Sequence, residues 1–220
     1  MTGEGVKEFY NRQYKSLQGQ RTGCPHSLHD LAKAIRRVAG VIRGFGIQTC
    51  AKGREVLDVG SGLGYYTKAL AMTGASVTGI DFSEAAIDVA RATFPECRFA
   101  HGAWPEDIPV ELKYDLIWTI NFSLINTFDV DFIQQRLVSE ATRRLKPGGC
   151  LVIGWNSDFS GRAVQGYSHW PIEMLRNMQQ ACGLSAPLVV EARTLMLSRF
   201  MIRAALFLRR SIPIFMVLKK

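Results

Sequence analysis

One stretch of the sequence decides the fold: Val56-Leu57-Asp58-Val59-Gly60-Ser61-Gly62-Leu63-Gly64-Tyr65-Tyr66. An apolar run of strand length leads straight into a glycine-rich turn, and the residues after the turn have a helical pattern. Glycine allows tight backbone conformations in the turn and lets a ligand approach without meeting a Cβ atom. The N–H groups and the positive dipole end at the start of the following helix favour a carboxylate or a phosphate. Residues 56–66 therefore predict a strand, a turn and a helix that together bind a ligand.

The rest of the chain alternates short β-branched runs with amphipathic stretches, which is typical of an α/β fold with a largely parallel sheet. Ser83 is expected to cap the helix that follows the second strand. The predicted strands are Glu55–Val59, Ser76–Ile80, Cys97–Ala100, Tyr114–Ile120, Cys150–Trp155, Leu188–Ala192 and Ile212–Leu218. The predicted helices are Glu4–Leu17, Ser27–Arg43, Tyr65–Met72, the one after Ser83, Asp131–Leu145, Pro171–Cys182 and Leu195–Leu208.

Composition places the chain among ordinary globular proteins. Its 220 residues, 47% hydrophobic and 21% charged, predict one domain over 1–220, with N-terminal covering helices in 1–46 and a core from 54 to 220. Five cysteines without a C-x-x-C pair argue against a disulfide framework or a zinc site. The polar N-terminus lacks the apolar stretch of a signal peptide, and no apolar run reaches bilayer-spanning length. We therefore expect a soluble, cytoplasmic protein.

Two acidic residues narrow the choice of ligand. Asp58, just before the turn, is placed to pair with a ligand ammonium group or to hold the loop from below. Asp81 ends the second strand about twenty residues after the turn, where a ribose diol would be bound. Asp81 could bind the ribose of either a nicotinamide dinucleotide or S-adenosylmethionine (SAM). Alternatively, Asp81 has only a structural role, as a partner of the cap of the next helix. The spacing is G-x-G-x-G rather than the dinucleotide G-x-G-x-x-G, which favours SAM over a nicotinamide-dependent oxidoreductase.

Four motifs, in order and at the right spacing, resemble the class I SAM-dependent methyltransferase family: VLDVGSGLGYYTKAL, VTGIDFSEAAIDVAR, YDLIWTI and RRLKPGGCLVIGW. The resemblance covers roughly Arg54 to Trp155. It implies a Rossmann-like three-layer sandwich with a seven-stranded mixed sheet and an antiparallel last strand. It also implies SAM as cofactor, with S-adenosylhomocysteine as product. In that family, the residue matching Asp81 binds the ribose of SAM and the residue matching Phe82 packs against the adenine. The methionine part of SAM is bound by the residues matching Asp58, Gly60, Ser61, Gly62 and Gly64.

The resemblance assigns further residues to the cofactor. The turn 101–107 matches the adenine-binding turn, but Ala103 stands where many members have an acid. Backbone groups and the ring of Trp104 are therefore expected to recognise adenine, and Trp104 is equally consistent with a packing residue beneath the loop. Asn121 matches a position near the transferable methyl group. Tyr14 resembles an aromatic N-terminal cover over SAM, or else anchors its helix to the sheet.

The chemistry is expected beyond the fourth and fifth strands, because ligands of open α/β sheets bind at the carboxyl ends of the strands. SAM already carries an activated methyl group, so the protein mainly aligns the acceptor and removes a proton where one must leave. The candidate catalytic residues are His169 and Asn121. Imidazole is well suited to act as a base near neutral pH, although His169, ahead of Pro171, also fits a packing role at a helix N-terminus.

The absence of two sequence motifs narrows the range of possible methyl acceptors. No N-P-P-Y follows the fourth strand and no Pro-Cys dipeptide occurs, which argues against methylation of nucleic acid bases on their amino groups or on cytosine C5. We expect a small-molecule, glycan or lipid-linked acceptor, with O-methylation ahead of N- or C-methylation and no metal ion. The alternatives are an RNA methyltransferase and a SAM-binding module without catalysis.

The net charge of +8 is concentrated near the C-terminal end. Residues 192–220 include seven basic residues and no acidic one, whereas the other 191 residues hold 20 basic and 19 acidic groups. The pattern predicts a helix packed on the sheet with a solvated basic face, or else contact of 193–210 with an anionic ligand or a membrane surface. The face expected to pack comprises Leu197, Phe200, Met201, Ala204 and Leu208.

Overall fold

The computed structural model describes residues 28–48, 51–164, 167–189 and 195–220, together with the single positions 8 and 12. Most of the predicted helix Glu4–Leu17, including Tyr14, lies outside the described residues. The end of the predicted strand Leu188–Ala192 lies outside them as well.

The strands are β1 (Glu55–Val59), β2 (Ser76–Asp81), β3 (Arg98–His101), β4 (Tyr114–Ile120), β5 (Leu145–Ser157), β6 (Ala163–Val164), β7 (Tyr167–Ser168), β8 (Leu188–Val189) and β9 (Ile212–Lys219). Seven of them form one sheet in the order β3-β2-β1-β4-β5-β9-β8, while β6 and β7 form a separate ribbon. Strands β1 to β5 are parallel, and β9 is antiparallel to both β5 and β8. The mixed sheet with its antiparallel last strand is therefore confirmed.

The helices are α1 (Leu28–Phe45), α2 (Tyr65–Ala71), α3 (Glu84–Thr93), α4 (Val130–Ile133), α5 (Glu140–Arg144), α6 (Ile172–Cys182) and α7 (Leu195–Leu208). A π-helix, Gln134–Ser139, joins α4 to α5, so the single α-helix predicted over this segment is interrupted. The predicted cap is confirmed, since Ser83 Oγ accepts a hydrogen bond from the N–H of Ala86 at 3.3 Å. None of the helices in the described parts of the chain is long and apolar enough to cross a lipid bilayer.

The sheet is covered on both faces, because successive side chains of each buried strand point to opposite sides. On one face the strands pack against the helical segment 130–144, α6 and α7, and on the other against α1 and α2. The third strand and α3 close the second face through a smaller cluster that includes Ile87 and Phe99. This arrangement is the predicted three-layer α/β sandwich. It leaves the carboxyl ends of β1, β2, β4 and β5 along one edge, where the turns predicted to bind ligands emerge.

The packed face of helix α7 overlaps only in part with the predicted one. Met201 packs against the core as predicted, but Phe200 and Leu208, also expected to pack, are exposed. For these two residues the expectation was wrong, because the helix is apolar around most of its circumference and the period alone does not identify the packed side. Two of the residues that do pack are small, which lets the helix lie close to the edge strand β8. The buried side chains are Ser198, Ile202 and Ala205.

Candidate active site

The glycine loop between β1 and α2 has the left-handed backbone that its sequence predicts. Gly60 and Gly64 have φ of 73° and 82°, which side chains with a Cβ rarely adopt. A Cβ on Gly60 would lie 2.8 Å from the ring of Phe122, and one on Gly64 would lie 2.6 Å from the ring of Phe99. These glycines are therefore required by the packing of the protein itself as well as by the turn.

Most of the amide hydrogens in the loop are already bound. The N–H groups of Gly60 and Ser61 both donate to the carbonyl oxygen of Ile80, at 2.9 and 2.8 Å. The N–H of Gly62 donates to Asp81 Oδ2 at 2.9 Å, and that of Gly64 to the carbonyl of Ser61 at 2.9 Å. In this conformation a carboxylate or phosphate would have to displace bonds that shape the loop, so binding of an anion by these amides stays a prediction.

Asp58 lies beneath the loop and is almost completely buried. Its Oδ2 accepts a 2.6 Å hydrogen bond from the hydroxyl of Thr67, one turn into α2. Burial raises the pKa of Asp58 from 3.8 to about 7, the bonds from Thr67 lower it, and the nearby charge of Asp81 raises it again. Of the two roles that the sequence left open, the geometry supports the second, since Asp58 fastens α2 to β1.

Asp81 joins the loop to the next helix. Its Oδ2 accepts from Gly62, and its Oδ1 accepts from the N–H of Ser83 at 2.9 Å. Burial raises the pKa of Asp81, although the hydrogen bonds from Ser83 and Gly62 oppose the rise. Each carboxylate oxygen has a second lone-pair direction, so Asp81 can take the cap-like role and still accept from a diol.

The turn after β3 is held together by an acid that the sequence prediction did not single out. Asp107 Oδ2 accepts from the N–H of Ala103 at 2.8 Å, and the N–H of Asp107 donates to the carbonyl of Ala103 at 2.9 Å. Trp104 is buried, and its indole N–H donates to the carbonyl of Arg136 in the π-helix at 3.0 Å. This geometry favours the packing role of Trp104 over a ring that covers the base.

Arg144, at the end of α5, supports the same turn from below and is a residue that sequence reasoning missed. Its guanidinium is buried, lies 5.3 Å from the ring of Trp104, and donates to the carbonyl oxygens of Pro105 and Ile108 at 2.7 to 3.1 Å. Glu140 neutralises it at 2.6 Å. The only signal in the sequence was an arginine two residues before Lys146 in the fourth motif, and periodicity alone does not show what it contacts.

Asn121 is the first residue beyond β4 and joins the ends of two strands. It has φ of 49°, a left-handed conformation that asparagine tolerates better than most residues. Its side-chain Oδ1 accepts from both the backbone N–H and the side-chain amide of Asn156, each at 3.2 Å. The two segments that the sequence placed at the acceptor site are thus in contact. Further on, Trp170 donates from its indole N–H to the carbonyl of Ile125 at 2.9 Å.

His169 lies in this region, but its Nδ1 is occupied. The N–H of Asp158 donates to His169 Nδ1 at 3.1 Å, which in the neutral ring places the proton on Nε2. Asp158 Oδ1 is 3.3 Å from the same nitrogen, so a protonated ring would also be held here. Burial raises the pKa of Asp158, but the hydrogen bonds from Ser160, the charge of His169 and the hydrogen bond from Arg162 outweigh it and hold that pKa below its usual value. In this geometry the imidazole positions the loop and does not present a free acceptor nitrogen.

The remaining predicted residues are placed as follows. Phe82 is half-buried after β2, and its carbonyl oxygen lies 3.0 Å from His101 Nε2. The hydroxyl oxygen of Ser61 is buried and has no hydrogen-bond partner among the described residues. Tyr14 lies outside the described residues. Within the described ranges, no group of three or more His, Cys, Asp and Glu side chains is arranged to hold a metal ion.

Comparison with known proteins gives a family match in the same part of the chain. Residues 56–149 match a family model described as a methyltransferase domain. That segment runs from β1 to the start of β5 and contains the loop, Asp81, the turn at Ala103 and Asn121.

Two relatives share about 105 residues each with this chain. Demethylmenaquinone methyltransferase from Tropheryma whipplei (strain Twist) is 41% identical over 105 residues, which are 46% of this chain and 41% of the relative. Ubiquinone biosynthesis O-methyltransferase from Coxiella burnetii (strain Dugway 5J108-111) is 36% identical over 108 residues, 47% of this chain and 44% of the relative. The chain thus spans less than half the length of the curated relatives it matches.

A solved structure extends the likeness of fold to nearly the whole chain. The crystal structure of a SAM-dependent methyltransferase from Clostridium acetobutylicum ATCC 824 superposes with a TM-score of 0.61, covering 96% of this chain and 98% of the other. The two sequences are 14% identical, so the match concerns the fold alone.

Proposed function

We propose, from the match of residues 56–149 to a methyltransferase-domain model, that this chain is a class I SAM-dependent methyltransferase, which binds SAM and transfers its methyl group to a small-molecule acceptor. The observation that carries the proposal is the double attachment of Asp81. One oxygen of Asp81 accepts from the glycine loop and the other accepts from the N–H of Ser83, the cap of α3. A single carboxylate therefore positions both segments against which the cofactor would bind.

The residues present fit SAM better than a dinucleotide. SAM carries two positive groups, a sulfonium and an ammonium, and one carboxylate, whereas a dinucleotide brings a pyrophosphate with two negative charges. The carboxylate of Asp81 lies next to the loop, the buried carboxyl group of Asp58 lies beneath it, and most of the loop's amide hydrogens are already used. The buried hydroxyl of Ser61, without a partner among the described residues, is a further polar group available to the cofactor. An acidic surrounding with few free amides suits a cation and disfavours a phosphate.

Within this proposal the residues divide by the part of SAM they serve. The loop receives the methionine end, Asp81 binds the ribose, and Phe82 and the turn at Ala103 border the adenine. Trp104 and Arg144 support that turn. Tyr14 remains a predicted cover and Asn121 a predicted neighbour of the methyl group. The loop residues are Gly60, Ser61, Gly62 and Gly64, with Asp58 below them.

SAM supplies the activated methyl group, and the protein's share of the reaction is alignment. Asn121 accepts hydrogen bonds from Asn156 and so fixes the end of β4 to the end of β5. An acceptor would bind against these two strand ends. A base is not required where the acceptor loses its proton readily. His169 is proposed as a positioning residue that holds the start of the loop after β5, because its Nδ1 accepts a hydrogen bond from the backbone N–H of Asp158.

The names of two relatives support a class of acceptor. The names of the two matching proteins refer to demethylmenaquinone methylation and to an O-methylation step in ubiquinone biosynthesis. These names support a small organic acceptor, and we propose O-methylation of a hydroxyl on a small, lipid-linked or glycan molecule ahead of N- or C-methylation. A methylated RNA, or binding of SAM without turnover, would replace this proposal if acceptor screening gave those results.

The test is calorimetric titration of the protein with S-adenosylhomocysteine and, separately, with NAD. We expect binding of the former alone. Asp81→Asn should weaken it about tenfold or more, because one charge-assisted hydrogen bond to the ribose is lost. Asp88→Asn removes an exposed carboxylate from the next helix and serves as the matched control, with thermal unfolding run on both variants to check the fold.

The outcomes separate clearly. Binding of NAD without binding of S-adenosylhomocysteine would overturn the cofactor assignment. Unchanged affinity in a folded Asp81→Asn protein would remove Asp81 from the site while leaving the cofactor itself in place.

A further inference from the structure

The outward face of α7 is apolar and basic at once. Phe207 is 86% exposed and Phe200 is 68% exposed, which is unusual for aromatic side chains. Leu208 and Leu206 are exposed by 59% and 40%. Single exposed apolar residues are ordinary, but four large ones on one helix are typical of a contact surface.

Arginines are interleaved with these apolar side chains. At 100° per residue, Arg199, Phe200, Arg203, Leu206 and Phe207 fall within an arc of about 120°, on the side away from the buried Ser198, Ile202 and Ala205. Arg209 and Arg210 follow directly and are exposed as well. Residues 195–220 include six basic residues and no acidic one. No carboxylate of this segment neutralises the arginines of the patch.

The position of α7 is set by the strand that follows it. Ile212 begins β9 and pairs with Ser157 at the carboxyl end of β5. Three residues separate Leu208 from Ile212, so the end of α7 lies within about 15 Å of that pairing. Asn156 pairs with Pro213 in the same register and holds Asn121. The exposed end of α7 therefore lies at the sheet edge that carries the candidate acceptor site.

We propose that the outward face of α7 docks this protein on an anionic phospholipid surface. Exposed aromatic and leucine side chains enter the boundary between headgroups and acyl chains, while neighbouring arginines meet the lipid phosphates. RNA fits the patch less well, because leucine side chains offer no planar face for a base to stack on. Docking through α7 would bring the acceptor edge of the sheet towards the lipid surface.

The test is sedimentation of the full chain with vesicles of phosphatidylcholine alone and of phosphatidylcholine mixed equally with phosphatidylglycerol. We expect binding to the anionic vesicles, weakened by salt. The triple variant Arg199→Gln/Arg203→Gln/Arg210→Gln should lose on the order of a hundredfold in partitioning, because each basic residue near an anionic surface contributes about a factor of five. Phe200→Ser/Phe207→Ser should lower partitioning as well, and its residual binding should be abolished by salt.

Matched controls come from other surfaces of the same protein. Arg36→Gln/Arg43→Gln/Lys52→Gln removes three exposed charges elsewhere, and Met72→Ser/Leu112→Ser removes two exposed apolar side chains elsewhere. Both should bind vesicles as the original protein does. Affinity for S-adenosylhomocysteine should be unchanged in every variant, so failure of docking is distinguishable from failure of the proposed function.

Absence of binding to anionic vesicles at low salt would overturn the proposal. So would equal losses in the α7 variants and in their controls. Binding of RNA that depends on the same arginines, with vesicle binding independent of them, would assign the patch to nucleic acid.

Discussion

Replacing Asp58 by asparagine should remove a pH dependence of stability that this one buried carboxyl creates. Burial raises the pKa of Asp58 from 3.8 to about 7. Between these values the folded protein keeps a proton on Asp58 that the unfolded chain has released. Because the unfolded state then binds fewer protons, the free energy of unfolding falls as the pH rises. The stabilising contribution is complete below about pH 4 and is lost as the pH passes through about 7.

The size of the effect follows from the same two values. Each unit of pKa difference corresponds to about 1.4 kcal/mol, so a rise from 3.8 to about 7 gives about 4 kcal/mol between pH 4 and pH 8. In Asp58→Asn the new amide would retain an oxygen that can accept from the hydroxyl of Thr67 but would not titrate. Relative to the original protein, the free energy of unfolding of the variant should therefore rise by about 4 kcal/mol between pH 4 and pH 8.

The assay is urea unfolding of the original protein and of Asp58→Asn at a series of pH values. The difference between their free energies of unfolding isolates Asp58, because the contributions of the other titrating groups cancel. Asp88→Asn, which removes an exposed carboxyl from α3, should leave the pH dependence as it was. A difference between the original protein and Asp58→Asn that stays flat from pH 4 to pH 8 would refute the reasoning.

Two further predictions concern packing around the candidate site. Arg144→Gln should destabilise the protein by about 3 kcal/mol and weaken S-adenosylhomocysteine binding, since buried carbonyl oxygens of the adenine turn lose their donor. Arg143→Gln, at an exposed neighbouring residue, should change neither the free energy of unfolding nor that of binding by more than about 0.5 kcal/mol. Urea unfolding and calorimetry measure the two quantities, and equal effects of Arg143→Gln and Arg144→Gln would contradict the role given to Arg144. Gly64→Ala should cost at least about 2 kcal/mol more than Gly53→Ala, because both have a left-handed φ but only at Gly64 does the new Cβ meet Phe99. Urea unfolding of the pair measures the difference, and equal losses would show that backbone strain alone is at work.

The sheet could be predicted from the sequence because its strands are short apolar runs bounded by turn residues. The observed β1 and β4 begin and end where the pattern indicated, and β2 and β3 differ from it by one residue at one or both ends. β5 begins at Leu145, five residues before the predicted start. Local patterns describe the inside of an element well and its ends less well, because the ends depend on partners that are distant in sequence.

The sequence predicted which segments form the site but not the contacts between their side chains. Glycine spacing and the two acids identified the loop, but nothing local showed that Asp58 would bind Thr67 or that Arg144 would support the turn after β3. Those bonds join residues on different elements, and periodicity carries no information about them. The prediction of the packed face of α7 was partly wrong for a related reason. The apolar side that meets the sheet is determined by the shape of the strand edge beside the helix.

The bond between β8 and α7 also bears on how the protein behaves at high concentration. An outermost strand normally presents a row of unused N–H and carbonyl groups, to which a strand of another molecule can add. Here the N–H of Val189 on that outer side donates to Ser198 Oγ at 3.1 Å, and α7 lies alongside. At the two described residues of β8, this end of the sheet is therefore protected from edge-to-edge growth. The same helix that exposes aromatic side chains to its surroundings thus protects the backbone behind it from aggregation.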